Sequence, residues 1–109
     1  MIKNDGYGWA TVSIGGFQDT ASYITDVPID CLNAFINAFR YQLPACVQFD
    51  AEGYTYILIA TWDEALVCMQ KESACDYTVR CSTNLYLLAN ELIRDIEDNE
   101  YSWSMFCDC

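Results

Sequence analysis

Histidine is absent from this 109-residue sequence, and its absence excludes several kinds of chemistry. Imidazole is the usual general base near neutral pH and the commonest protein ligand of transition metals. The Ser–His and Cys–His pairs that activate nucleophiles are excluded with it. Gly15-Gly16 is too short to form a phosphate-binding loop, and paired carboxylates need a larger cleft than a domain of this length usually encloses. We therefore expect no catalytic residues and no cofactor, and we predict that the protein is not an enzyme.

Basic side chains are also scarce, at 5 against 16 acidic ones, which gives a formal net charge of −11. Nucleic-acid affinity comes largely from lysine and arginine side chains that displace counterions from phosphates, and anionic membranes attract polybasic segments. The basic residues here are scattered along the chain: Lys3, Arg40, Lys71, Arg80 and Arg94. The sequence therefore predicts neither direct nucleic-acid binding nor membrane binding, and it favours a protein partner with a basic surface.

Long apolar runs, linkers and low-complexity tracts are missing as well. No run approaches the ~18 apolar residues of a membrane span, and the first residues do not follow a secretory signal pattern. Hydrophobic residues make up 53% of the chain and aromatic residues 15%, far more than a disordered acidic segment contains. We expect one α+β domain over residues 1–109, located in the cytoplasm.

Seven cysteines are present, but their pattern does not indicate a disulfide framework or a metal site. Their number is odd and their spacing irregular, so we expect free thiols in a reducing compartment. Zinc sites usually show paired C-x₂₋₄-C spacing, whereas the close pair Cys107 and Cys109 has no second pair to match it. A four-thiolate site would require Cys75 and Cys81 to meet that pair in space. The sequence predicts no metal site, and a redox role for the last two thiols stays open.

Several segments have the composition of β-strands. Two pairs flank glycine-containing turns, as hairpins do: 7–14 and 21–27 around Gly15-Gly16, and 46–49 and 54–61 around 50–53. Glycine provides the positive φ that tight hairpin turns require. Residues 54–60 give the strongest strand pattern, which predicts a central strand. Two further strands are predicted over 65–69 and 77–81.

Two helices are predicted from apolar residues at spacings of three and four. The first begins with Asp26 as a cap and Pro28 in the first turn, and Pro44 ends it. Its apolar stripe consists of Ile29, Leu32, Phe35, Ile36, Phe39 and Leu43. We label this first predicted helix, which begins after Asp26 and ends before Pro44, α1. We call the six residues the α1 stripe, and we expect them to face the core.

The second helix is predicted to begin at a cap formed by Ser82 or Thr83. Its apolar stripe consists of Leu85, Leu88, Ala89, Leu92, Ile93 and Ile96. Residues 101–106 then alternate apolar and polar side chains, which predicts a short edge strand or an apolar tail against the body. Together these elements predict an α+β fold in the order ββαββββα. It would have a mainly antiparallel sheet of about five or six strands and two helices packed on one of its faces.

Acidic residues crowd the C-terminal half of the second helix. Glu91, Asp95 and Asp98 lie at i, i+4 and i+7, which places them on one stripe. Like charges at this spacing, and negative charge near a helix C-terminus, both destabilise a helix. We interpret the stripe and the aromatic tail as a partner-binding surface. Its predicted residues are Glu91, Asp95, Glu97, Asp98, Glu100, Tyr101 and Trp103.

The preferred functional prediction is a small binding protein that inhibits or masks a basic partner, such as a nucleic-acid-processing enzyme. In size, charge and lack of a catalytic set, the chain resembles immunity proteins against nuclease toxins and phage anti-CRISPR proteins. The resemblance implies inhibition by carboxylates arranged like the phosphates of DNA. The competing predictions are a homo-oligomeric or structural module that pairs through the tail or a strand edge, and a small-molecule sensor lined by aromatic residues. An acidic face that serves only solubility is a further alternative.

Overall fold

The computed structural model describes residues 1–71 and 76–108. These residues form seven strands in two antiparallel sheets, in the orders β1-β2-β3 and β4-β5-β6-β7. The elements are β1 (Ile2–Gly6), β2 (Trp9–Ile14), β3 (Phe17–Ser22), α1 (Val27–Tyr41), β4 (Ala45–Asp50), β5 (Tyr54–Ala60), β6 (Ala65–Lys71), β7 (Tyr77–Cys81), α2 (Leu85–Glu97), α3 (Glu100–Ser104) and a 3₁₀ turn (Phe106–Asp108). The α+β class and the antiparallel pairing are confirmed. The strands number seven and divide into two sheets, where five or six in one sheet were predicted.

The first hairpin turns at Gly15-Gly16 as predicted, but its second strand begins earlier than expected. Ile14 pairs directly with Phe17 across the turn, and both glycines have positive φ, as a tight two-residue turn requires. A Cβ on Gly15 would lie 2.9 Å from the backbone of Ser82, whose N–H donates to the Gly15 carbonyl at 3.2 Å. The hairpin tip is therefore packed against the end of β7, where only glycine fits.

Strand β1 was missed because it carries little apolar character. Its sequence is Ile2-Lys3-Asn4-Asp5-Gly6, and only Ile2 is buried. Backbone pairing with β2 and the burial of that one side chain hold the strand in place. Neither property is visible in local periodicity.

The core is one cluster built from both sheets and the helices. Burial alternates along the strands, so that Phe49, Tyr56 and Leu58 are fully buried, while Ile57 between the last two is only half-buried. Alternation of this kind shows that one face of the four-stranded sheet covers the core and the other meets solvent. The expected central strand, β5, lies between β4 and β6.

Helix α1 begins as predicted. The Asp26 side chain accepts a hydrogen bond from the Ile29 N–H at 3.4 Å, and proline occupies the first turn. The helix ends at Tyr41, before Pro44, because Gln42 adopts a left-handed conformation with φ 55°. Such a residue commonly ends a helix by satisfying its last carbonyls.

The expectation that the α1 stripe faces the core is wrong for most of its residues. Among its six members only Phe35 is buried, whereas Ile36 is 51% and Phe39 43% exposed. The buried face consists of Val27, Pro28, Cys31, Phe35 and Ala38. Cys31 and Ala38 are small, so they let the helix backbone approach the sheet closely, and β4 is the strand with which α1 makes most of its contacts. The larger apolar side chains are rotated from this face by about 100°, the angle between successive residues of a helix.

Helix α2 presents most of its predicted stripe to the core, since Leu85, Leu88, Ala89 and Leu92 are buried. Ile93, however, is 49% exposed, and Ile96 is half-buried. Its cap is Asn84 rather than Ser82 or Thr83: the Asn84 Oδ1 atom accepts a hydrogen bond from the Leu87 N–H at 3.0 Å. Asparagine is as good a cap as serine, so local composition did not distinguish the three positions.

The segment after α2 is helical and lies against the body, which confirms the apolar-tail alternative and contradicts the edge strand. Trp103 and Phe106 are buried and their ring centroids are 5.3 Å apart. A spacing of three residues puts both rings on one side of a helical turn, which explains why an alternating pattern did not give a strand. Within residues 1–71 and 76–108, none of the helices is long and apolar enough to span a bilayer.

Two tyrosines of β5 connect the two sheets. Tyr56 donates a hydrogen bond to the Thr20 carbonyl at 2.6 Å, and Tyr54 donates one to the Asp19 carboxylate. This hydrogen bond to Asp19, followed by burial, raises the pKa of Tyr54 to about 12. Burial is the main cause that raises the pKa of Tyr56.

Replacing Leu88 with alanine should destabilise the fold by about 2–5 kcal/mol, because it removes a fully buried side chain and leaves a cavity. The neighbouring Leu87 is 53% exposed, so Leu87→Ala should change the free energy of unfolding by less than about 0.5 kcal/mol. Urea unfolding of both variants measures the difference. Equal losses would contradict the assignment of the buried face.

The raised tyrosine pKa values predict a loss of stability in alkali. Tyrosines in the unfolded chain ionise at about pH 10. Below that pH the phenol is neutral in both states, so its burial and hydrogen bond contribute fully to the free energy of unfolding. This stabilisation disappears as the pH rises through about 12, the value for Tyr54. Tyr54→Phe should therefore flatten the fall in unfolding free energy between pH ~9 and ~11.5. Tyr101→Phe, which alters an 81% exposed side chain, serves as the control, and equal slopes for both variants would contradict the linkage.

Candidate functional site

The structure divides the predicted site residues among different surroundings. Glu91 and Asp95 face strand β1 rather than solvent alone. The Asp95 Oδ2 atom lies 2.7 Å from the amino group of Met1 and accepts the Ile2 N–H at 3.0 Å. The Glu91 Oε1 atom lies 3.5 Å from the same amino group. These two carboxylates therefore attach the first strand to α2.

Trp103 is also occupied inside the molecule. Its side chain is 6% exposed, and its indole Nε1 is buried without a hydrogen-bond partner among the described residues. The tail folds back as a helix, which turns this ring inward against Phe106. As the structure stands, Trp103 belongs to the core and is not presented to a partner.

The other four predicted residues form an exposed group at the junction of α2 and α3. Glu97, Asp98 and Glu100 are all exposed, and Tyr101 is 81% exposed. We call these four residues the acidic corner. In the part of the chain that the structure describes, none of the three carboxylates has a lysine or arginine within ion-pair distance.

The helix dipoles favour negative charge at only some positions of the acidic corner. Glu100 lies in the first turn of α3, where a carboxylate is favourable, but Glu97 is the last residue of α2, where negative charge is unfavourable. The turn between them is held by Asn99, whose Nδ2 donates to the Asp95 carbonyl at 3.0 Å. This turn connects three residues with carboxylate side chains, and the described side chains provide no compensating charge within ion-pair distance.

Sequence reasoning missed a second surface, an apolar groove between α1 and α2. We call it the helix groove; it has a volume of about 490 Å³ and is lined by Leu32, Phe35, Ile36, Phe39, Arg40, Ala89, Leu92 and Ile93. Most of these residues were assigned to the core because their spacing suits a buried face. The small side chain of Ala89 leaves space between the two helices. The groove exists because the α1 stripe points beside the core rather than into it.

The two ends of the helix groove differ in chemistry. At one end a smaller cavity of about 250 Å³ shares Leu32 with the groove and is also lined by Asp26, Ile29, Ile96 and Glu100. Glu100 therefore belongs both to this opening and to the acidic corner. The other end carries Arg40 and an aromatic cluster, in which the Phe39 ring lies 5.3 Å from Trp62 and 5.8 Å from Tyr86.

A third cavity, of about 560 Å³, lies between α1 and β4, and most of its lining residues are polar. It is lined by Thr25, Asp30, Asn33, Ala34, Asn37, Cys46, Val47, Gln48 and Asp50. Burial, followed by the neighbouring charge of Asp26, raises the pKa of Asp30. The Thr25 hydroxyl is buried and makes no hydrogen bond to the described residues.

The described cysteines differ in exposure. Cys31 and Cys81 are buried, and burial raises the pKa of both thiols, which lowers their reactivity at neutral pH. Cys107 is exposed. Cys75 and Cys109 lie outside the described residues, so the four-thiolate arrangement lies outside them as well. Among residues 1–71 and 76–108, no three histidine, cysteine or acidic side chains are grouped to hold a metal ion.

A scan against protein-family models and searches of curated proteins and of solved structures found no match for this chain. The acidic corner and the helix groove are the two surfaces whose geometry bears on function. Both surfaces present side chains that the described part of the fold leaves in contact with solvent.

Asp95 and Asp98 provide a matched pair of acidic residues on α2. Asp95→Asn should destabilise the fold by about 1.5–3 kcal/mol, because it weakens a charge-assisted hydrogen bond to β1. Asp98→Asn should change stability by less than about 0.5 kcal/mol, since this carboxylate is exposed. Urea unfolding at neutral pH measures both effects. A neutral Asp95→Asn variant would show that the contact with β1 does not stabilise the protein.

Proposed function

We propose that the protein is a small acidic binding protein that inhibits or masks a basic protein partner, such as a nucleic-acid-processing enzyme. The observation that carries this proposal is the acidic corner. Glu97, Asp98 and Glu100 are exposed together, on a chain whose formal net charge is −11. Their positions near one another suit a surface that normally receives the phosphates of a nucleic acid.

A cluster of negative charge affects the rate at which a basic partner associates as well as the affinity of the complex. A cluster of one sign steers an oppositely charged partner and accelerates encounter. Screening over about 8 Å at physiological ionic strength makes such binding dependent on salt. Tyr101, at 81% exposure, provides an aromatic side chain beside the charges, and tyrosine is enriched among residues that dominate interface energies.

The location proposed for this activity is the cytoplasm. Cys31, Cys46, Cys68 and Cys81 are free thiols, and free thiols are typical of a reducing compartment. A partner that processes nucleic acid inside the cell would be accessible there.

A homo-oligomeric module is the second candidate, and the exposed apolar residues of the helix groove favour it. Ile36 and Ile93 are each about half exposed, which is the kind of surface that a second copy would cover. Mutual repulsion between two chains of net charge −11 opposes this arrangement. Sedimentation at low and high salt separates the candidates, because an inhibitor should be monomeric alone whereas a module should be larger at both salt concentrations.

Charge reversal of the acidic corner tests the proposed function. The corner variant carries Glu97→Lys, Asp98→Lys and Glu100→Lys, and the scattered variant carries Glu52→Lys, Asp63→Lys and Asp76→Lys at exposed sites elsewhere. Both variants have the same net charge. Each protein is used to capture partners from nuclease-treated lysate of the cells that produce it, with elution by a salt gradient. The wild type should retain a discrete basic protein that is released at moderate salt.

The corner variant should bind that protein at least about tenfold more weakly, whereas the scattered variant should stay within about threefold of the wild type. The wild type should also inhibit the activity of the captured protein. Equal losses in the two variants would show that only net charge matters. Failure of the wild type to retain a basic protein would overturn the proposed function.

A further inference from the structure

The helix groove presents more apolar surface than solubility favours. Ile36, Phe39 and Ile93 line it and are 51%, 43% and 49% exposed. At the end of the groove where Asp26 and Glu100 line the opening, Ile29 adds a further side chain that is 48% exposed. Contiguous apolar patches on a protein surface commonly mark a binding site. No described part of the fold covers these side chains.

The groove has the length of a short helical segment. Ile29 and Ile96 line the same cavity at one end, and the rings of Phe39 and Tyr86 are in contact at the other, so α1 and α2 run in opposite directions along the groove. Ten residues of α1 separate the two ends, which is about 15 Å at 1.5 Å per residue. A bound helix of this length places side chains at i, i+3 or i+4, and i+7 against an apolar floor.

The charges around the groove identify the chemistry of its occupant. Asp26 and Glu100 line the opening at one end, and Glu97 follows Ile93 by four residues on the same side of α2. Arg40 is the basic residue in the lining at the other end. An apolar helix face flanked by lysine or arginine is complementary to this surface. A second copy of the chain carries the same carboxylates beside its own groove, so it is a poorer match.

We propose that the helix groove binds an amphipathic α-helix of the basic partner, with the helix's cationic residues directed toward the acidic corner. This inference rests on the proposed function, because it specifies which element of the partner is recognised. The apolar contacts provide the desolvated centre of the interface, and the carboxylates provide its charged rim.

A synthetic peptide tests the groove without the natural partner. The probe is an 18-residue, fluorescein-labelled peptide with leucine at i, i+3, i+4 and i+7 positions and lysine elsewhere. A shuffled peptide of identical composition, in which leucines no longer share a face, controls for charge. Fluorescence anisotropy at physiological salt should show binding to the wild type at least about tenfold tighter for the amphipathic peptide than for the shuffled one.

Ile93→Glu and Leu87→Glu provide matched variants of the protein. Both replace an α2 residue of similar exposure, 49% and 53%, and both add one negative charge. Ile93 lines the groove, whereas Leu87 lies on a different side of the helix, about 120° away by helical geometry. Ile93→Glu should weaken binding of the amphipathic peptide at least about tenfold, although its added charge attracts lysine, and Leu87→Glu should leave binding within about twofold.

The same two variants are then used in the lysate capture. Ile93→Glu should lose the basic protein that the wild type retains, and Leu87→Glu should keep it. Equal binding of the two peptides by the wild type, or unchanged peptide binding by Ile93→Glu, would overturn the groove assignment while the corner test of the proposed function still stands. A wild-type dimer that Ile93→Glu converts to a monomer would also overturn it, by identifying a second copy as the occupant.

Discussion

The packing of α1 on β4 through small side chains is the constraint on which the exposed surfaces depend. Cys31 and Ala38 occupy the contact face and allow the helix backbone to lie close to the sheet. The bulky residues of the α1 stripe then point sideways, toward α2. Because α2 meets them with Ala89, the space between the helices is left open as the helix groove. The groove thus follows from the placement of small residues rather than from an excess of large ones.

The carboxylates of α2 have two separate roles because they lie on different sides of the helix. Asp95 and Glu91 point toward β1 and are used to hold the first strand. Glu97 lies on the side of Ile93, and with Asp98 and Glu100 it stays exposed without ionic compensation among the described side chains. Net charge alone does not distinguish these roles. The two roles are distinguished by where each carboxylate lies around the helix axis and by whether it lies at the helix end.

Local patterns were sufficient for much of the fold and for part of the site. The cap at Asp26, the turn at Gly15-Gly16 and the buried leucines of α2 all depend on short-range chemistry that periodicity and turn rules describe. Strand β1 depends on contacts with distant residues, and no local pattern reports these. The burial of Trp103 was missed because residues 101–106 alternate like a strand, whereas the ring packs on Phe106 in a helical segment. The orientation of the α1 stripe was missed for another reason. Periodicity shows which residues share a face, but not whether a neighbouring element covers that face.

The attachment of β1 to α2 has a consequence for synthesis on the ribosome. The Ile2 amide and the Asp95 carboxylate that accepts it are separated by 93 residues, and the tip of the first hairpin likewise rests on the backbone of Ser82. At ~5–20 residues per second, the N-terminal sheet waits several seconds for the elements that complete it. During that interval its inward face, including Val12 and Ile14, lacks its final cover. The polar composition of β1 helps such an unfinished sheet to avoid pairing with other chains.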